Sequence, residues 1–337
     1  MFSTTGNTET TKTTSWKVVL PFYFYAAIAF LIATILLLLS ASDITSHYFL
    51  PHTLAITHIM ALGWGTMMIL GASHQLVPVL IEGKLYSNKL AYASFTLAAI
   101  GIPLLVYGFY IFDMGVHTQC GGILIILAII AYLINLAVSM VKSKQENVHA
   151  FFIFTAAIWL LATTIVGLLL LYNFTQPLLP KSSLDYLPVH AHIGIVGWFL
   201  LLVMGVGSRL IPMFLISKYS NIRQLWWIYG LVNVGLLAFV YIFLYTDSKS
   251  LLNIPLLAVA AAIVLFGNFC FKSYQQRIRK KVDEQMKVSL LSVLMMLLPV
   301  IFLVIIIILL ILSQKENVNL IITYGFIIFL DGLLPSF

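Results

Sequence analysis

The apolar residues of this chain come in long, nearly unbroken runs separated by short polar breaks. They show neither the alternation of a strand nor the narrow apolar stripe of a soluble helix. Ten runs stand out, near residues 17–41, 52–80, 89–112, 119–141, 149–173, 187–215, 224–245, 251–271, 288–313 and 317–337. Each approaches or exceeds the ~20 residues an α-helix needs to cross the hydrocarbon of a bilayer. A spanning β-barrel would instead show short alternating segments, and a helix satisfies its own backbone in lipid. The pattern predicts an all-α polytopic membrane protein of about ten transmembrane helices. Short links make sequence neighbours antiparallel neighbours in space.

The second and sixth runs are copies of each other. Residues 58–78 read HIMALGWGTMMILGASHQLVP and residues 192–212 read HIGIVGWFLLLVMGVGSRLIP. At an offset of 134, His58 meets His192, Gly63 meets Gly197, Trp64 meets Trp198, Gly71 meets Gly205, Leu76 meets Leu210 and Pro78 meets Pro212, without a gap. Two unrelated apolar helices would share Leu and Ile, not a histidine, two glycines, a tryptophan and a proline. The period is that of a four-helix repeat, a symmetry common in membrane folds. It divides the chain into a polar cytoplasmic tail at 1–16, a first repeat at 17–147, a second at 148–285 and an incomplete third at 286–337. One period beyond the second copy, Phe326 stands where the histidine would be and Asp331 replaces the glycine. A chain ending on apolar residues inside a bilayer leaves its last carbonyls unsatisfied, so a longer parent of about twelve spans is expected.

Composition agrees with the bilayer as solvent: of 337 residues, 61% are hydrophobic and 9% charged, against about a quarter charged in soluble domains. The formal charge of +7 is explained by its placement. Lys12, Lys17, Lys84, Lys89, Lys142, Lys144, Lys218, Arg223, Lys272, Arg277, Arg279, Lys280, Lys281 and Lys287 fall at one set of helix ends, against Lys181, Lys249 and Lys315 at the other. By the positive-inside rule the N-terminus is cytoplasmic, and no nucleic-acid partner is needed to account for the charge. The first run is longer than a signal-peptide core and reads as a true span. Cys120 and Cys270 fall near opposite faces and suggest neither a disulfide nor a thiolate site.

Of the eight histidines, His52 and His58 open the second span and His190 and His192 the sixth. In this topology all four lie in the outer part of the membrane, where an imidazole without a partner is costly and so marks a functional candidate. Residues two apart on a helix point about 200° apart. His190 and His192 therefore suit two separate sites on either side of one helix better than one chelated metal. His58 and His192, at equivalent depths, are placed to supply the two axial nitrogens of one haem iron. Gly63, Gly65 and Gly71, with Gly194, Gly197 and Gly205, leave room either for a flat macrocycle or for close helix packing. His74, about 24 Å along the helix from His58, reads as structural. So do His47, His117 and His149 at loops or helix ends, and Arg209, which can snorkel to headgroups.

The stretch Asp185–Phe214, D-Y-L-P-V-H-A-H-x12-G-x6-P-M-F, resembles the tenth helix of subunit I of the haem–copper oxidases, and Thr57-His58 through Leu76-Val77-Pro78 resembles that family's second helix. The resemblance implies twelve helices in three pseudo-symmetric arcs of four, an internal N-terminus and haems of b or a type toward the outside. It makes His58 and His192 ligands of a low-spin haem and His190 the ligand of a second; His52 completes the candidate set. It also implies respiratory partner subunits, an electron donor such as cytochrome c or quinol, and the plasma membrane of a prokaryote. The chain departs from the family over copper: residues 224–245 hold no histidine and no adjacent His-His pair exists anywhere, so copper is not supported.

Three functions follow. The first is a haem-containing electron-transfer or oxidoreductase subunit. The second is a non-catalytic haem protein similar to the NnrS family linked to nitric-oxide stress. The third, least supported, is a transporter, whose usual broken helices and midplane polar residues spans two and six do not display in sequence.

Overall fold

The structure is a computed structural model that describes residues 14–44, 46–81, 83–143, 147–246, 248–313 and 318–328. Among the described residues, nine helices are long and apolar enough to cross a membrane: α1 Trp16–Leu39, α2 Pro51–Leu80, α3 Asn88–Tyr110, α4 Val116–Val141, α5 Val148–Thr175, α6 Ser183–Leu215, α7 Ile222–Tyr245, α8 Ser250–Gln275 and α9 Glu284–Leu309. A shorter apolar helix follows, α10 Val318–Ile327. It covers part of the tenth expected span; Asp331 lies outside the described residues. The protein is thus an all-helical chain compatible with a polytopic membrane protein. Its outward faces carry large apolar side chains such as Leu31, Leu38, Tyr107 and Leu257, as expected where lipid replaces water.

The helix starts are set locally. Pro51 occupies the first turn of α2, where its missing N–H has no partner to lose. Ahead of α6, the Asp185 carboxylate accepts hydrogen bonds from the Ser182 amide (3.0 Å) and hydroxyl (2.8 Å). These anchors fix where His58, His190 and His192 fall. α2 has 30 residues and α6 has 33. At ~1.5 Å per residue each is longer than the ~30 Å hydrocarbon a spanning helix must cross.

The basic helix ends lie together. The chain after α6 pairs with the chain after α8 through Lys218 N–H to Gln276 O (3.3 Å) and Ile278 N–H to Ile216 O (3.1 Å). The segment between α2 and α3 is tied to α4, where Asn135 Oδ1 accepts from the Ser87 amide (2.9 Å) and Asn135 Nδ2 donates to the Ser87 carbonyl (3.0 Å). At the other end, Phe49 stacks on Phe174 with ring centroids 5.7 Å apart. The alternation of sparsely and richly basic ends is therefore physical as well as sequential. Asn135 is fully buried, and the Ser87 carbonyl also accepts from the Ala91 amide, so Asn135→Ala strands the Ser87 amide and is expected to cost about 1–3 kcal/mol. Denaturant titration in mixed micelles reads this as an earlier unfolding midpoint.

The glycines settle on packing. A Cβ on Gly63 would lie 3.0 Å from Ala29 Cβ, and one on Gly71 would lie 2.9 Å from Phe22 Cβ. In the second repeat a Cβ on Gly197 would reach Trp159 Cγ at 2.6 Å, and one on Gly205 would reach Phe152 Cβ at 2.5 Å. In both repeats, therefore, the matched glycines hold the second helix against the first helix of its own arc. Gly65 faces the Phe199 ring and Gly194 faces Thr163. All six are close-contact positions, and α1 is packed into the bundle through two of them.

One feature departs from the sequence expectation. α2 and α6 are not regular α-helices: each contains a π-helical segment, Ile59–Thr66 in α2 and Ile193–Leu200 in α6. The two segments are separated by the same 134 residues and begin directly after His58 and His192. The spans expected to be unbroken are continuous but locally widened. π turns are often found at functional sites.

Candidate functional site

Each expected ligand has its Nδ1 committed. His58 Nδ1 lies 2.8 Å from Leu54 O and His192 Nδ1 lies 2.8 Å from Pro188 O, each four residues back on its own helix. His190 Nδ1 lies 3.1 Å from Thr163 O, on α5. A carbonyl oxygen can only accept, so the hydrogen sits on Nδ1 and the neutral ring presents its Nε2 lone pair. A backbone carbonyl that fixes the tautomer in this way is one of the outer partners found for metal-ligating histidines, and His74 makes the same bond to Leu70 O in the core. His52 differs, since its Nδ1 pairs with the Asp43 carboxylate at 2.6 Å and its ring packs 4.6 Å from Tyr110.

The ring beside His58 is that of His190. Their centroids are 6.3 Å apart and their planes 18° from parallel, with Phe109 packed 4.5 Å from His58. Neither Nε2 has a hydrogen-bond partner among the described residues. His192 points the other way, toward Phe239 of α7 at 5.1 Å and Tyr324 of α10 at 6.0 Å. There the Tyr324 hydroxyl donates to His192 Nε2 at 3.3 Å. The two histidines of the His-x-His thus serve opposite faces of α6, as their spacing requires. The geometry brings His58 to His190 and leaves His192 to the third arc.

These two contacts are one interaction repeated. His58 and His190 are 132 residues apart, and so are His192 and Tyr324. Tyr324 stands one period after His190 and Ile56 one period before it. The tyrosine was legible at the 134-residue offset, because it is the counterpart of His190 as Phe326 is of His58. Thr163 and Gly167 on α5, by contrast, carried no sequence signal of their own. The indole of Trp198 donates to Thr66 Oγ1 at 3.2 Å and ties the two π segments together.

Two imidazoles sharing one metal ion, each nitrogen about 2.0–2.1 Å from it, put their ring centroids about 6 Å apart, and the observed 6.3 Å meets that separation. Among the described residues no group of three or more His, Cys, Asp and Glu comes together, so an ion held by protein ligands alone has no support. A pair of neutral imidazoles fits an iron whose remaining positions belong to a macrocycle.

The other histidines are elsewhere. His74 is 1% exposed, its ring between Phe22 (5.2 Å) and Tyr132 (5.4 Å) and its Nδ1 bonded to Leu70 O (2.6 Å). Beside it Ser73 and Tyr132 share a 2.5 Å hydrogen bond. His74 is thus a core residue rather than a surface one. His149 Nδ1 meets Ser208 Oγ at 2.6 Å, and Ser208 is the counterpart of His74. No protein-family model and no curated protein matches the chain.

Proposed function

We propose that the chain is a haem-binding membrane protein of the electron-transfer type, with His58 of α2 and His190 of α6 as the axial pair of one haem. The near-parallel rings at 6.3 Å, each with its Nδ1 already held by a backbone carbonyl, carry this reading. Bound there, the group supplies a reversible one-electron couple. The chain's own part is to orient both Nε2 atoms, to keep the site apolar with Phe109, and to hold α2 against α6 through Trp198 and Thr66. With both histidines holding the group, the site would serve as a relay or a carrier, which keeps the NnrS-like, non-catalytic alternative beside the oxidase-like one.

The rest of the reading rests on loop charge and the oxidase resemblance. The cytoplasmic N-terminus would put the site near the outer face of a prokaryotic plasma membrane, within reach of cytochrome c or quinol and of partner subunits. Copper has no histidine set in this chain. The test is a reduced-minus-oxidised spectrum of full-length protein purified from cells with ample haem. The expected result is narrow low-spin bands at one haem per chain, absent from His58→Ala. Protein free of haem under those conditions removes the proposal.

A further inference from the structure

His58 and His192 are oriented by carbonyls of their own helices, but His190 is oriented by a carbonyl of α5. Its position therefore depends on how closely α5 and α6 approach. At that approach the two helices mesh through a reciprocal pair of notches. A Cβ on Gly167 of α5 would lie 2.8 Å from His190 Cε1 and 3.3 Å from its Nδ1, while a Cβ on Gly194 of α6 would lie 3.1 Å from Thr163 Cγ2. Thr163 and Gly167 are one turn apart on α5, as His190 and Gly194 are on α6. The imidazole thus sits in the notch left by Gly167 and donates to the carbonyl one turn before it. One period earlier, where Ile56 replaces His190, Ala33 replaces Gly167. Glycine accompanies the imidazole and alanine accompanies the aliphatic side chain.

We infer that Gly167 is a positioning residue for His190: it admits the ring to the Thr163 carbonyl and so aims Nε2 at His58. The inference deepens the haem reading and rests on it for the identity of what Nε2 binds. Ordinary contact for a Cβ begins at 3.4 Å. Alanine at 167 must therefore push the ring away or turn it off the carbonyl.

The test has two readouts on the full chain. In the spectrum, Gly167→Ala is expected to lose the low-spin bands or convert them to high-spin ones, with the protein still folded. A wild-type spectrum in that variant overturns the inference while leaving the haem proposal intact. The second readout is a thermal double-mutant cycle on haem-free protein, with Gly167→Ala in the parent and in His190→Ala. Alanine is otherwise better than glycine inside a helix. The expected result is a lowered midpoint in the parent and an unchanged or raised midpoint in the His190→Ala background. Equal loss in both backgrounds would make Gly167 a general packing residue and overturn the inference. This cycle decides the positioning role even where the purified protein carries no haem, an outcome that counts against the haem proposal alone.

Discussion

Replacing His190 by alanine is expected to abolish the low-spin haem signal, while the same change at His192 leaves it in place. The oxidase resemblance alone would give the reverse emphasis, since it makes His58 and His192 the axial pair. The structure separates the two histidines by face: the ring near His58 belongs to His190, and His192 accepts from Tyr324. On the haem proposal this variant would lack one of the two imidazoles, so the expected change is a conversion to broad high-spin bands with reduced haem content. The check is haem per chain and the reduced spectrum of both variants, purified in parallel and matched for monodispersity. Loss of the low-spin bands in His192→Ala with their retention in His190→Ala would return the axial role to His192.

Gly205→Val is expected to be among the most damaging single changes outside the site. A Cβ there would stand 2.5 Å from Phe152 Cβ and 3.6 Å from the His149 carbonyl, and Phe152 is fully buried. Neither atom is the loose end of a flexible chain, so α5 and α6 must separate. Overpacking of this kind costs about 1–3 kcal/mol and more when backbone must move. The measurement is the unfolding midpoint in mixed micelles, with Gly267→Ala as the control. Nothing lies within 4 Å of a Cβ at Gly267, so that change is expected to raise stability by about 0.5–1 kcal/mol. Equal midpoints for the two variants would show that the notch at Gly205 does not hold the helices together.

The long helices and their order were legible because lipid demands unbroken apolar length, and nine of the ten expected spans are complete among the described residues. The 134-residue period was equally open, since His, Gly, Trp and Pro are rare enough in apolar helices to be counted. The opposed faces of His190 and His192 followed from helix geometry. Which neighbour each face meets did not, because that depends on how arcs pack and no local pattern records it. The π segments were hidden for a related reason. Nothing in IMALGWGT or IGIVGWFL distinguishes an i+5 from an i+4 hydrogen bond. The glycines offered two readings, and only the neighbours of Gly63, Gly71, Gly197 and Gly205 decide for close contact.

The pairing of His192 with Tyr324 bears on how such a protein can change over generations. Tyrosine and histidine codons differ by a single base, and residue 324 already stands where His190 stands one period earlier. A point mutation there would place an imidazole opposite His192, without touching His58 or His190.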